Sequence, residues 1–467
     1  MPDIVGENSA LPRTFHGFWN TKFRMSTSAR WTFCLSAAAL LAAAFFIAAA
    51  LPFAATAARA QTVQHPAVTR AKKAAGNPTK QPAKQPAIAA TPSQKFPPRT
   101  PFTAADDAVA AIPGMPDARF WADSQTDFDK ALPTQPGPWL ILSTGGADGA
   151  FGAGLLNGLS AAGNRPDYSV VTGVSTGALM APFVFAGPKY DAALKAAYTQ
   201  ISAADIFEIG ATGESFVDSW PLKDLIAKEI TPQLLADVAA GYQAGRRLFV
   251  VTTDLDAERS VVWNMGAIAA HGNDAALNLF RTVLLASGSI PGAFPPVLID
   301  VEGNGKHFSE MHVDGGVGGQ FFVAPAAAMA STSSYRIPAS QLYIVVNSGL
   351  QPDFQVVDRS TPAILAQTVS TAVMVDLRVM LDRTYVAAKR SGVGFNVASI
   401  PANFSAPSRG PFDPNYMKAL FDAGFEQGKG ATAFADAPPP YPGQPAADAK
   451  DDAKSQSNDV AKPGATK

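Results

Sequence analysis

The sequence predicts an α/β fold in which a mostly parallel sheet is covered by helices on both faces. Three observations predict it. Short apolar runs alternate with longer segments of helical period through the central part of the chain. The runs are apolar nearly throughout, as strands buried on both faces are, instead of on alternate positions. Glycine-rich turns stand where two of the runs give way to helical segments, the punctuation of strand–helix units.

The elements follow in order. Residues 139–143, from Trp139 to Ser143, form an apolar run that ends in a glycine-rich loop and then a helix of small residues. A second run, Tyr168 to Thr172, leads into Gly173-Val174-Ser175-Thr176-Gly177 and another helical segment. Residues 247–255, 260–264 and 341–349 read as further strands, and 278–287 and 362–390 as helices. No internal repeat is visible.

Outside this region the composition changes. Residues 31–58 carry no charge and follow Arg24 and Arg30, and Ala58-Arg59-Ala60 supplies a small-x-small cleavage pattern before Gln61. The expectation is an exported protein, with translation starting at Met1 or Met25. It is periplasmic or secreted if cut near Ala60, and membrane-anchored if the apolar run of more than about 20 residues stays. Residues 61 to about 100 hold seven basic residues and no acidic ones among Pro, Ala, Gln and Thr, the composition of a tether. That charge also suits an anionic membrane surface. The expected organisation is 1–60 leader, 61–130 tether and lead-in, 131–432 catalytic domain and 433–467 disordered tail.

The 467 residues have a formal net charge of −1, and no basic, aromatic-interleaved stripe marks a nucleic-acid partner. Cys34, the one cysteine, lies in the leader, so a mature chain has neither thiolate chemistry nor disulfides. No metal-ligand cluster is visible, and no cofactor is expected.

Three motifs carry chemistry. The first is the G-x-S-x-G pentapeptide from Gly173 to Gly177. A serine in a tight strand-to-helix turn is exposed beside the positive end of a helix dipole, and its flanking glycines leave room. The second is Val313-Asp314-Gly315-Gly316, a carboxylate that backbone can close around. An aspartate of ordinary pKa, about 3.9, is a weak base toward an alcohol. Held against the serine and partly desolvated, it can take the proton as the tetrahedral intermediate forms. A histidine base stays open by chain order alone, as in Ser175 with Asp254 and His271. None of His271, His307 or His312 has supporting residues around it. The third motif is Thr144-Gly145-Gly146-Ala147-Asp148-Gly149, whose backbone N–H groups suit an anion. For a developing oxyanion such donors lower a barrier by about 3–4 kcal/mol. Phosphate binding fails on detail, since no Gly-Lys-Ser/Thr follows. The nearest dinucleotide frame, Gly152 to Asn157, lacks its last glycine, and Asp167 precedes the second strand.

Together these motifs resemble the patatin-like phospholipase family. Residues 143–159 resemble its glycine-rich oxyanion loop and following helix, Gly173–Gly177 its nucleophile elbow, and Val313–Gly316 its aspartate motif. The segment from Ala286 to Pro296 resembles the family's A-S-x-x-x-P-x-x-F-x-P stretch. The resemblance spans roughly residues 137–430. It implies a three-layer α/β/α sandwich and a Ser–Asp dyad, with Ser175 as nucleophile and Asp314 as proton acceptor. Gly145, Gly146 and Ala147 are implied oxyanion donors, and Gly149, Gly173, Gly177, Gly315 and Gly316 support the motifs.

Two positions depart from the family pattern. Thr144 replaces the first loop glycine, and Asp148 stands where a basic residue is usual. Backbone donors survive a change of side chain, but an anionic phosphate head group is less favoured. The reading is a lipid acyl-ester hydrolase acting on a phospholipid, lysolipid or neutral ester. Its alternatives are an acyltransferase using the same dyad and a non-catalytic lipid-binding envelope protein.

Overall fold

A computed structural model of the chain describes residues 96–352 and 354–441. The leader, most of the tether and most of the expected tail lie outside them. The strands are β1 (Arg119–Trp121), β2 (Pro138–Leu142), β3 (Val170–Val174), β4 (Glu208–Ile209), β5 (Val217–Asp218), β6 (Arg247–Asp254), β7 (Arg259–Asn264), β8 (Val297–Gly303), β9 (Lys306–Asp314), β10 (Gln341–Gly349) and β11 (Gly394–Ile400). Apart from the β4–β5 pair they form one sheet of nine strands, with order β1-β7-β6-β3-β2-β10-β11 and the β8–β9 hairpin joined through β9 to β6. The run from β6 to β11 is parallel, while β1, β7, β8 and β9 are antiparallel additions.

Both faces of the parallel core are covered, which makes three layers. Leu140, Leu142, Val171, Leu248 and Val250 point to one side. There they meet helices α1 (Gly149–Ala161), α2 (Thr176–Ala186), α3 (Asp191–Thr199), α4 (Trp220–Glu229), α5 (Pro232–Gln243) and α6 (Asp274–Ser287). Trp139, Ile141, Val170 and Phe249 alternate with them and point to the other side. Phe128 of Gln125–Ala131 covers that side, together with Leu377 and Leu381 of the long helix α7 (Thr361–Ser391). Helix α8 (Pro414–Lys429) returns to the first layer. It crosses α1 so closely that a methyl on Gly154 would stand 2.0 Å from the Phe421 carbonyl oxygen. The near-dinucleotide frame in α1 is thus a helix-packing surface, and the absent third glycine has no bearing on it.

The lead-in folds onto the sheet, with β1 pairing β7. At the other end Ala433 is buried, and Ala435 exchanges two backbone hydrogen bonds of 2.8 Å with Val397 of β11.

One pairing positions the site. Strand β6 is eight residues long and has two partners on the same edge. Its first part pairs with β3 as far as Val174 opposite Val251. From the next residue β9 takes over, with Asp314 opposite Thr252. The C-terminal ends of β3 and β9 therefore converge on adjacent residues of one strand. Strand β9 reaches this place through a hairpin whose turn, Asn304-Gly305, has the two positive φ values of a type I′ turn, 51° and 73°.

Candidate active site

Ser175 follows β3 directly and opens α2. Its backbone is in a sparsely populated region, φ 56° and ψ −123°, which for a non-glycine residue costs about 1–3 kcal/mol. The surroundings hold it there. Its N–H donates to Ser287 Oγ at 3.0 Å, and Ser287 Oγ–H donates to the Val251 carbonyl at 2.7 Å. A methyl on Gly173 would sit 2.4 Å from the Gly177 carbonyl oxygen, and one on Gly177 2.4 Å from that of Leu142. Small residues at both positions are what lets the strand, the elbow and the helix close up.

Asp314 ends β9. Its N–H donates to the Ser289 carbonyl at 2.8 Å, and its Oδ1 accepts the Gly316 N–H at 2.7 Å. The Ala286–Pro296 segment therefore braces both reactive residues, Ser175 through Ser287 and Asp314 through Ser289. Burial pushes the Asp314 carboxyl up to about 6, against hydrogen bonds from the Ser175 hydroxyl and the Gly316 N–H, which favour its ionised form. The structure thus brings Ser175 and Asp314 together, and both are nearly buried, at 6% and 5% exposure.

The glycine-rich loop lies beside them and is pinned from below. Thr144 donates its N–H to the Gln320 carbonyl at 2.9 Å and its hydroxyl to Gln320 Oε1 at 2.7 Å. The Gln320 amide donates in turn to the Gly316 carbonyl at 3.1 Å. Asn347 at the end of β10 donates Nδ2–H to the Ser143 carbonyl at 3.0 Å and accepts the Gly152 N–H at 3.2 Å. The threonine in place of a first glycine is therefore a tie between the loop and the residues after Asp314. The N–H groups of Gly145, Gly146 and Ala147 have no intramolecular hydrogen bond among the described residues. Asp148 turns to α8, accepting the Tyr416 hydroxyl at 2.7 Å, and burial pushes it up to about 6.

The histidines stand elsewhere. His271 and His307 are exposed. His312 is wholly buried, with Nδ1 at 3.0 Å from Thr252 Oγ1 and Nε2 at 3.1 Å from Glu310 Oε2. Asp254 belongs to that cluster, so it does not serve His271. The ligand atoms of Asp254, Glu310 and His312 lie within 4.8 Å of one another, the one such convergent group among the described residues. Arg119 already grips both oxygens of Glu310, with Nη2 to Oε1 at 2.7 Å. The donor set is therefore occupied as a buried ion-pair network. Asp107 joins it, and burial, followed by the Asp254 and Glu310 carboxylates, pushes its carboxyl up to about 7. This network escaped the sequence reading because its members come from the lead-in and three strands, with no local spacing to announce them.

An apolar chamber of ≈ 70 Å³ opens next to the donor loop and the residue that follows the nucleophile. Gly146 of the donor loop and Thr176, next to the nucleophile, line one part of it; Leu179, Phe183, Leu222 and Ile226 line others. No motif pointed to it, because its walls come from separate stretches of the chain, chiefly α2, α3 and α4 with Leu284 of α6 and Met417 of α8.

Residues 140–327 match the family model for patatin-like phospholipase, and the chain carries a patatin-like domain over that stretch. No curated protein sequence matches the chain. Among solved structures it is similar to VipD from Legionella pneumophila, at 12% identity and a TM-score of 0.27, over 63% of this chain and 66% of that one. It is also similar to the type III effector protein ExoU, at 15% identity and a TM-score of 0.26, over 64% of this chain and 54% of that one. The chain thus spans less than two thirds of either.

Proposed function

We propose that this protein hydrolyses lipid acyl esters through an acyl-enzyme on Ser175, with Asp314 as the base. The observation that carries the reading is the strained elbow serine hydrogen-bonded to a buried aspartate, both beside a loop of free N–H donors and an apolar chamber. The match to a patatin-like phospholipase model supports a lipid substrate. Ser175 Oγ attacks the acyl carbonyl carbon and its proton passes to Asp314. The loop N–H groups of Gly145, Gly146 and Ala147 take the oxyanion. The carbon–oxygen bond to the leaving alcohol breaks as Asp314 returns the proton to that alcohol. Water then attacks the acyl-enzyme with Asp314 again as base, and the carboxylic acid leaves from a regenerated Ser175. Asp148, held by Tyr416, brings no positive charge to the site, so a neutral ester or lysolipid suits it as well as an intact phospholipid.

The chain's place at a membrane belongs to the same proposal. Besides the N-terminal segment and basic tether, α7 leaves Ile364, Val375 and Val386 at 50–52% exposure. By length and composition, Ala363–Ser391 is apolar enough to cross a bilayer.

A fluorophosphonate probe tests the chemistry. The expected result is one label on the wild type that is lost in Ser175→Ala, and a folded, unlabelled wild type overturns the reading. The base is tested by pH. Asp314 must be ionised to accept a proton, and burial holds its pKa at about 6. kcat/KM should therefore rise about tenfold per pH unit below that value and level off above pH 7. A profile that is flat from pH 4.5 to 7 is incompatible with Asp314 as the base.

A further inference from the structure

The chamber beside Ser175 has a direction and a length. Thr176 and Gly146 mark its reactive end, since one follows the nucleophile and the other belongs to the donor loop. Leu179 and Phe183 line it further along α2, three and seven residues beyond Thr176, so the three share one helix face. At 1.5 Å per residue Leu179 lies about 4.5 Å and Phe183 about 10 Å past Thr176. A second wall is lined by Leu222 and Ile226, about one turn apart on α4, and by Ile230 just past its end. The hydroxyl of Tyr198, another lining residue, is engaged by the Thr176 carbonyl at 2.9 Å and presents its ring.

An extended chain covers about 3.3–3.6 Å in three bonds, so 10 Å takes about eight or nine bonds. We infer that the chamber gauges the length of an acyl chain at about six to ten carbons, with Leu179 beside its fourth carbon and Phe183 stopping its end. The inference rests on the ester-hydrolase reading and adds the substrate class to it: medium-chain acyl esters.

The purified full chain, assayed on 4-nitrophenyl butyrate, octanoate, dodecanoate and hexadecanoate, tests it. Each methylene buried is worth roughly fourfold in kcat/KM. The wild type should climb from butyrate to octanoate and fall by hexadecanoate. Leu179→Trp, which blocks the chamber about one turn in, should lower the octanoate-to-butyrate ratio at least about tenfold. Phe183→Ala, which removes the stop, should raise the dodecanoate-to-octanoate ratio about tenfold. Ratios do not depend on how much of each variant folds. An optimum at butyrate or hexadecanoate, or ratios unmoved by both variants, overturns the gauge while ester hydrolysis stands. Absence of turnover on every ester, with Ser175 unreactive toward fluorophosphonate, removes the hydrolase reading and the gauge with it.

Discussion

Replacing Ser175 by alanine is expected to lower kcat/KM on an acyl ester by about 10⁴-fold or more, the scale on which a lost nucleophile registers in serine hydrolases. Asp314→Asn should cost nearly as much, because the amide keeps the hydrogen bond to Ser175 but cannot accept a proton. The double variant should be scarcely slower than either single one, since the two residues act as a unit. His271→Ala and His307→Ala, both at exposed positions, should leave the rate within twofold. Steady-state kinetics on one soluble ester decide all of this. A fall at His271 matching that at Asp314 would move the base to the histidine. Ser175→Gly adds a stability readout. Glycine accepts φ 56° without penalty, so this inactive variant should be about 1 kcal/mol more stable to urea than the wild type.

The largest effect on stability is expected at Glu310. Its carboxylate is fully buried and grips the Arg119 guanidinium, itself 5% exposed, with His312 against one oxygen. Glu310→Ala leaves a buried arginine unpaired and should cost about 3–5 kcal/mol, read as a shift in the urea midpoint. Asp254→Asn is the control. It keeps an acceptor for the Asp256 N–H and removes a charge from a crowded carboxylate cluster, so its midpoint should move by less than about 1 kcal/mol. Equal losses in the two variants would mean that the network is held together by something other than the Arg119 pair.

The contrast between these two sites explains what the sequence could disclose. Ser175 was legible because an elbow is local: a strand, five residues and a helix state the whole geometry. The parallel core was legible for the same reason, since Trp139–Leu142 is apolar at every position and Val170–Val174 at all but Thr172. Asp314 was half legible. Its glycines were plain, but the strand that delivers it was not recognised, although Asn304-Gly305 between alternating runs is a hairpin signal. Asp148 and Thr144 were visible as departures, yet their partners, Tyr416 and Gln320, lie far along the chain. The chamber and the Arg119–Glu310 network were not legible at all, because each is assembled from elements whose meeting is decided by the finished sheet.

Both reactive residues hang from the same strand, one from each of its successive neighbours on that edge. The distance between nucleophile and base is then a property of peptide ladders, which transmit little of what happens in the helices above. The segment between Ala186 and Arg247 supplies much of the chamber's wall and none of that spacing. It is therefore a replaceable module: a longer, shorter or foreign cap grafted between Ala186 and Arg247 would retune which esters are admitted and leave the reaction itself in place.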